Sequence, residues 1–172
     1  QRLATQHVAV LNAGISGARL LSDRMGVNAL ARFERDVLGQ PNVQAVIILL
    51  GINDISWPGM AFDPQGKTPA LPALTQGYQQ LINRAHSKGI RVIGATLLPF
   101  QGALNQTPFA AYYNADKDSL RQQLNDWIRN GGQFDAVVDF DQLLANPQQP
   151  LQLNPLYDSG DHLHPSDAGS KA

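Results

Sequence analysis

The amino-acid sequence predicts an α/β sandwich built on a mainly parallel sheet, with helices in layers against it. Short apolar runs, residues 45–50 above all, are β-branched and apolar on both faces, as a sheet covered by helices requires. These runs alternate with amphipathic segments several turns long, and strands that alternate with helices build parallel sheets. The 172 residues suit one domain around a single core.

In chain order, Val8-Ala9-Val10-Leu11 is expected to form a buried strand running into a tight loop at Asn12-Ala13-Gly14. Leu21, Met25, Ala29, Leu30, Phe33 and Val37 recur at three- and four-residue steps, predicting a helix over about 20–38 that Gly39 stops. The second strand covers 45–50. Residues 57–72, rich in Pro and Gly, should form a surface loop. A helix over 74–88 ends at Gly89, a third strand covers 90–98, and a helix over 111–129 ends at Gly131-Gly132. Within it Trp127 shares a helical stripe with Leu120, Leu124 and Ile128 and is expected in the core. A fourth strand covers 136–140, and residues 147–165 read as irregular. Gln1 opens the chain without an initiator Met, and a helix is just beginning at Gly169, so both ends are expected to be truncated.

Composition narrows the classes. With 13 basic and 14 acidic residues the net charge is −1, and no basic stripe offers a nucleic acid its footprint. The longest apolar run is far too short to span a bilayer. The absence of cysteine excludes disulfides and thiolate metal sites and says little about compartment.

Ligands of open α/β sheets sit outside the carboxyl ends of the strands, and the unusual polar clusters fall there. Asn12-Ala13-Gly14-Ile15-Ser16-Gly17 follows the first run and Gly51-Ile52-Asn53-Asp54 the second. Gly17 can bring a backbone N–H close to a ligand, and Asn53 can turn its amide into a cleft as an oxyanion donor, with Asp54 capping the next turn. In Asp161-His162-Leu163-His164-Pro165, a carboxylate three residues before a histidine can curl back and orient the imidazole, leaving its other nitrogen to accept a proton. Each cluster alone is also ordinary turn chemistry.

Taken together, in this order, the three clusters resemble the SGNH (GDSL-like) hydrolase family. Gly17 matches its block-two glycine, Asn53 its asparagine in a G-x-N-D setting, and Asp161 and His164 its D-x-x-H block, followed here by Pro165. Two further stretches, from Ala31 to Leu38 and from Tyr157 to Pro165, look like the lysophospholipase-like and xylan-esterase-like branch. The resemblance implies a flavodoxin-like α/β/α fold and a serine ester hydrolase needing no cofactor or metal. His164 would be the base, Asp161 its orienting acid, and Gly17 and Asn53 the oxyanion donors. It also implies a small or carbohydrate ester as substrate, Trp57 just beyond Asn53 as a substrate contact, and export for a polysaccharide esterase. The chain departs from the family in one block: it holds no Gly-Asp-Ser tripeptide, so the nucleophilic serine and its strand are expected upstream of Gln1.

Three alternatives stay open on the residues. Gly14-Ile15-Ser16-Gly17-Ala18 has the shape of a degenerate nucleophile elbow, with Asp139 or Asp141 as the acid. His162 and His164 beside Asp158 and Asp161 could ligate a divalent ion, with His7 and His86 too distant in sequence to join them. A non-catalytic carbohydrate- or partner-binding domain could use Trp57, Tyr112, Tyr113, Trp127 and Tyr157 as stacking faces.

Overall fold

Parallel strands cannot be joined by a hairpin, so the successive strands of the central sheet are connected by crossovers that each contain a helix. The computed structural model describes residues 8–172. In it β1 (Ala45–Ile48), β2 (Arg91–Ala95) and β3 (Ala136–Val138) form a parallel sheet in the order β1-β2-β3. Ala45 pairs with Arg91 and Ile48 with Gly94, while Ile93 pairs with Ala136 and Ala95 with Val138. The short helices α1 (Ala29–Phe33) and α2 (Ile52–Ser56) flank β1 in the chain. The long ones, α3 (Leu71–His86) and α4 (Ala115–Asn130), are the crossovers.

Local chemistry sets the helix starts. Pro72 occupies the first turn of α3, where its missing N–H costs nothing. Asn114 caps α4 by accepting from the Lys117 N–H at 2.8 Å. Ile48, Ile90 and Val92 from the sheet region meet Leu74, Tyr78, Leu81 and Ile82 of α3 and Leu124 and Ile128 of α4 in one buried cluster. Trp127 packs against that cluster, its ring beside those of Tyr78 and Phe134, as its helical spacing predicted. Among the described residues no helix is long and apolar enough to cross a membrane.

Four expectations need correction. Residues 8–11 are not a buried strand: they join no sheet, and Val8, Val10 and Leu11 are exposed. Apolar sequence confers strand propensity, but burial needs a packing partner, and Ile47 on β1 and Leu49 just past it are likewise exposed. The helix expected over 20–38 begins only at Ala29 and runs on as a π-helical turn over Glu34–Leu38. The N–H groups of Leu20 and Leu21 bond to the Asp54 carboxylate instead, and Asn28, held by Asp23, caps the true start. Finally, the stretch 147–165 contains β5 (Gln149–Leu153), which pairs antiparallel with β4 (Ala145–Asn146), itself preceded by α5 (Phe140–Leu144). The expected fourth strand accordingly ends at Val138, and its last residue, Phe140, opens α5.

Candidate active site

The chain leaves β1 through Gly51, whose φ of 109° lies in the left-handed region that favours glycine. A Cβ there would also lie 3.2 Å from Leu124 Cδ2. This turn starts α2 at the carboxyl edge of the sheet and places Asn53 in its first turn. The Asn53 Nδ2 donates to Ala18 O at 3.0 Å, and its Oδ1 accepts from the Tyr112 hydroxyl at 2.8 Å. One Nδ2 hydrogen is left uncommitted among the described residues.

Asp54 does not cap the next turn, as its position had predicted. Its carboxylate is 2% exposed and reaches across to accept from Leu20 N at 2.8 Å and Leu21 N at 2.9 Å. Burial pushes its pKa up, against the pull of those N–H groups and of Arg19. Neighbouring side chains of α2 therefore anchor the segment that carries Gly17. Gly17 has φ 72°, in the left-handed region that favours glycine, and a Cβ on it would displace the Met25 side chain, whose Sδ lies 2.0 Å away. Its N–H makes no hydrogen bond among the described residues.

The second half of the site is the loop 158–165, closed by an antiparallel bridge between Asp158 and Pro165. His164 Nδ1 lies 2.6 Å from Asp161 Oδ2, while Asp161 Oδ1 accepts from the N–H groups of Leu163 and His164 and from Ser159 Oγ. Partial burial raises the Asp161 carboxyl, but these bonds outweigh it and hold its pKa well below the usual range. The His164 side chain is 65% exposed, with its other ring nitrogen free among the described residues. A second pair stands beside it: His162, at φ 59°, is held by Asp158 through its backbone N–H and through Nδ1 at 2.5 Å.

A loop over 99–113 links the two halves. Leu104 N donates to Asp161 O at 2.9 Å, and Leu163 packs on the cluster of Trp57, Met60, Phe100, Ala103 and Tyr112. Tyr112, from the same cluster, holds Asn53. Lys117 is buried and donates Nζ to Ser56 O at 2.8 Å and Ala111 O at 2.7 Å, tying the end of α2 to the residue before Tyr112. Nothing in the local sequence marked Tyr112 or Lys117 for these contacts. Trp57 is only 8% exposed and packs edge-on to Phe62, Phe109 and Tyr112, while Phe62, stacked on Phe109, is exposed.

The alternative arrangements find less in the geometry. Ser16 is exposed and makes no hydrogen bond among the described residues, and Asp139 and Asp141 are engaged by Arg129 and Arg121 rather than by a histidine. Each histidine of the 158–165 loop pairs with its own carboxylate, and among the described residues no three metal-binding side chains gather. His86 pairs with Asp135 on the surface, and His7 lies outside the described residues.

A D-x-x-H loop joined through the 99–113 loop to a G-x-N-D turn agrees with a family match over residues 1–172. The chain belongs to the GDSL-like lipase/acylhydrolase family. Ester hydrolysis is the general chemistry of this family. Solved structures share the fold. A protein of Desulfitobacterium hafniense described as a lipolytic protein of the G-D-S-L family has a TM-score of 0.67 at 21% identity, over 98% of this chain and 79% of that one. A GDSL-like lipase of Bacteroides thetaiotaomicron has a TM-score of 0.60 at 20% identity, over 85% and 68%. A catalytic mutant of an acetylxylan esterase from Geobacillus stearothermophilus has a TM-score of 0.54 at 21% identity, over 94% and 66%. No curated protein matches this family member.

Proposed function

We propose that the protein hydrolyses carboxylic esters through an acyl-enzyme, with His164 as the base. The observation that carries this is the Asp161–His164 pair, bound through Nδ1 at 2.6 Å on a side chain that is 65% exposed, with the other ring nitrogen free among the described residues. His164 takes the proton of a serine hydroxyl as that oxygen attacks the ester carbonyl, then returns it to the leaving alcohol. Asp161 keeps the imidazole in one tautomer and stabilises its protonated form. The Gly17 N–H and the free Nδ2 hydrogen of Asn53 receive the charge on the tetrahedral oxygen. This chemistry needs neither metal nor cofactor.

The substrates proposed are small acyl groups on carbohydrates or comparable small esters. Support comes from the motif segments of the xylan-esterase-like branch, from the acetylxylan esterase among the structural neighbours, and from the aromatic cluster of Phe62, Trp57 and Tyr112, of which Tyr112 bonds to Asn53.

The test is fluorophosphonate labelling of the protein with its natural N-terminus, followed by peptide mass spectrometry. One labelled serine is expected, and His164→Ala should abolish both label and turnover. Asn53→Ala should lower kcat by about two to three orders of magnitude, as loss of one oxyanion donor does. A label on Ser16 would favour the elbow arrangement instead. Labelling or turnover that survives His164→Ala would refute the assignment.

A further inference from the structure

We propose that Tyr112 is a positioning residue for Asn53, holding and polarising its amide as an oxyanion donor; the inference rests on the role given to Asn53 above. Ala18 O can only accept, so the amide must present Nδ2 to it, at 3.0 Å. Oδ1 then faces the Tyr112 hydroxyl at 2.8 Å, and the phenol must donate. Bonds at both ends of the amide fix its plane and leave one Nδ2 hydrogen for a ligand. A donor on the amide oxygen also draws charge through the conjugated group and strengthens the remaining N–H, since bonds in a chain polarise one another.

The surroundings make this hydroxyl a permanent donor. Tyr112 is fully buried, edge-on to Trp57 at 5.0 Å and Phe100 at 6.2 Å. Burial pushes its pKa far above the ordinary phenol range, so it stays protonated. Lys117 fixes the spacing, because its Nζ joins Ser56 O on α2 to Ala111 O, one residue before Tyr112. The bond spans 59 residues of sequence, so only this packing brings the two side chains together.

Tyr112→Phe in the full-length protein removes the hydroxyl and keeps the ring contacts. The expected result is a kcat about ten-fold lower with KM nearly unchanged, in keeping with a weakened transition-state donor. The double variant Tyr112→Phe/Asn53→Ala should be no slower than Asn53→Ala alone, because the hydroxyl acts only through that amide. The side-chain amide signals of Asn53 in ¹⁵N-resolved NMR should shift in Tyr112→Phe while the melting temperature stays within a few degrees of wild type. Effects that multiply in the double variant, or a wild-type kcat in Tyr112→Phe, would overturn the proposal. If the wild type turns over no ester, the esterase reading fails on its own. Unmoved Asn53 signals would then still overturn the role of Tyr112, and shifted ones would uphold its hold on the amide.

Discussion

Replacing Asp54 by Ala removes a buried carboxylate that accepts from two N–H groups, Leu20 at 2.8 Å and Leu21 at 2.9 Å. Hydrogen bonds to an ionised acceptor contribute about 1.5–3 kcal/mol each, so the gross loss is about 3–6 kcal/mol. The variant also escapes the cost of burying the carboxylate, the same desolvation that raises the Asp54 pKa. The net destabilisation should therefore settle at about 2–4 kcal/mol. At about 2–4 °C per kcal/mol for a domain of this size, Tm should fall by roughly 5–15 °C. Thermal and urea unfolding of wild type and Asp54→Ala measure this, and hydrogen exchange at Leu20 and Leu21 locates it. Asp54→Asn, which keeps one acceptor and turns an NH2 toward the other N–H, should fall between them. A Tm within about 1 °C of wild type, with both amides still protected, would refute the idea that this carboxylate anchors the segment before α1.

Further outcomes follow from the same geometry. Gly51→Ala places a side chain at φ 109°, 3.2 Å from Leu124 Cδ2, and should cost about 1–3 kcal/mol of stability by urea unfolding. Gly59→Ala, also at positive φ but with nothing within 4 Å of its Cβ, should cost less; equal losses would remove the packing part of the explanation. The Asp161 carboxyl is held below its ordinary pKa, because bonds from His164, Leu163 and Ser159 outweigh its partial burial. Its contribution is therefore complete above an unfolded value of about 4 and is lost as pH falls through the depressed folded value. Asp161→Asn should melt below wild type at neutral pH, with the gap closing under acid conditions; a gap constant with pH would contradict this.

The elements legible in sequence were those whose signal is local and periodic. The β-branched run at 45–50 became β1, and the apolar stripes at three- and four-residue steps became α3 and α4, each within a few residues of its expected ends. The same logic failed over 20–28. There Leu21 and Met25 kept helical spacing, but the amides of Leu20 and Leu21 found a stronger acceptor in Asp54, and Met25 covers Gly17. Residues 8–11 failed for the complementary reason, apolar sequence with no face to bury against. The hairpin of β4 and β5 escaped notice because Pro147, Pro150 and three glutamines mask a short strand.

At the site, the Asp161–His164 pair could be read directly, because three residues are close enough for a carboxylate to curl back onto the ring. The family motif picked out Gly17 and Asn53; Asn53 stands just past β1, and its side chain bonds to Ala18 O, next to Gly17. The sequence by itself thus determined the strand–helix alternation, the local acid–histidine pair and the glycines that its turns require. Only the tertiary structure decided which way the Asn53 amide faces, what Asp54 holds, and that Trp57 lies beneath Phe62 rather than open to solvent. Those contacts join residues 33 to 59 positions apart or depend on rings from several loops. Distances of that kind are set by packing of the whole core, which leaves no periodic trace in the chain.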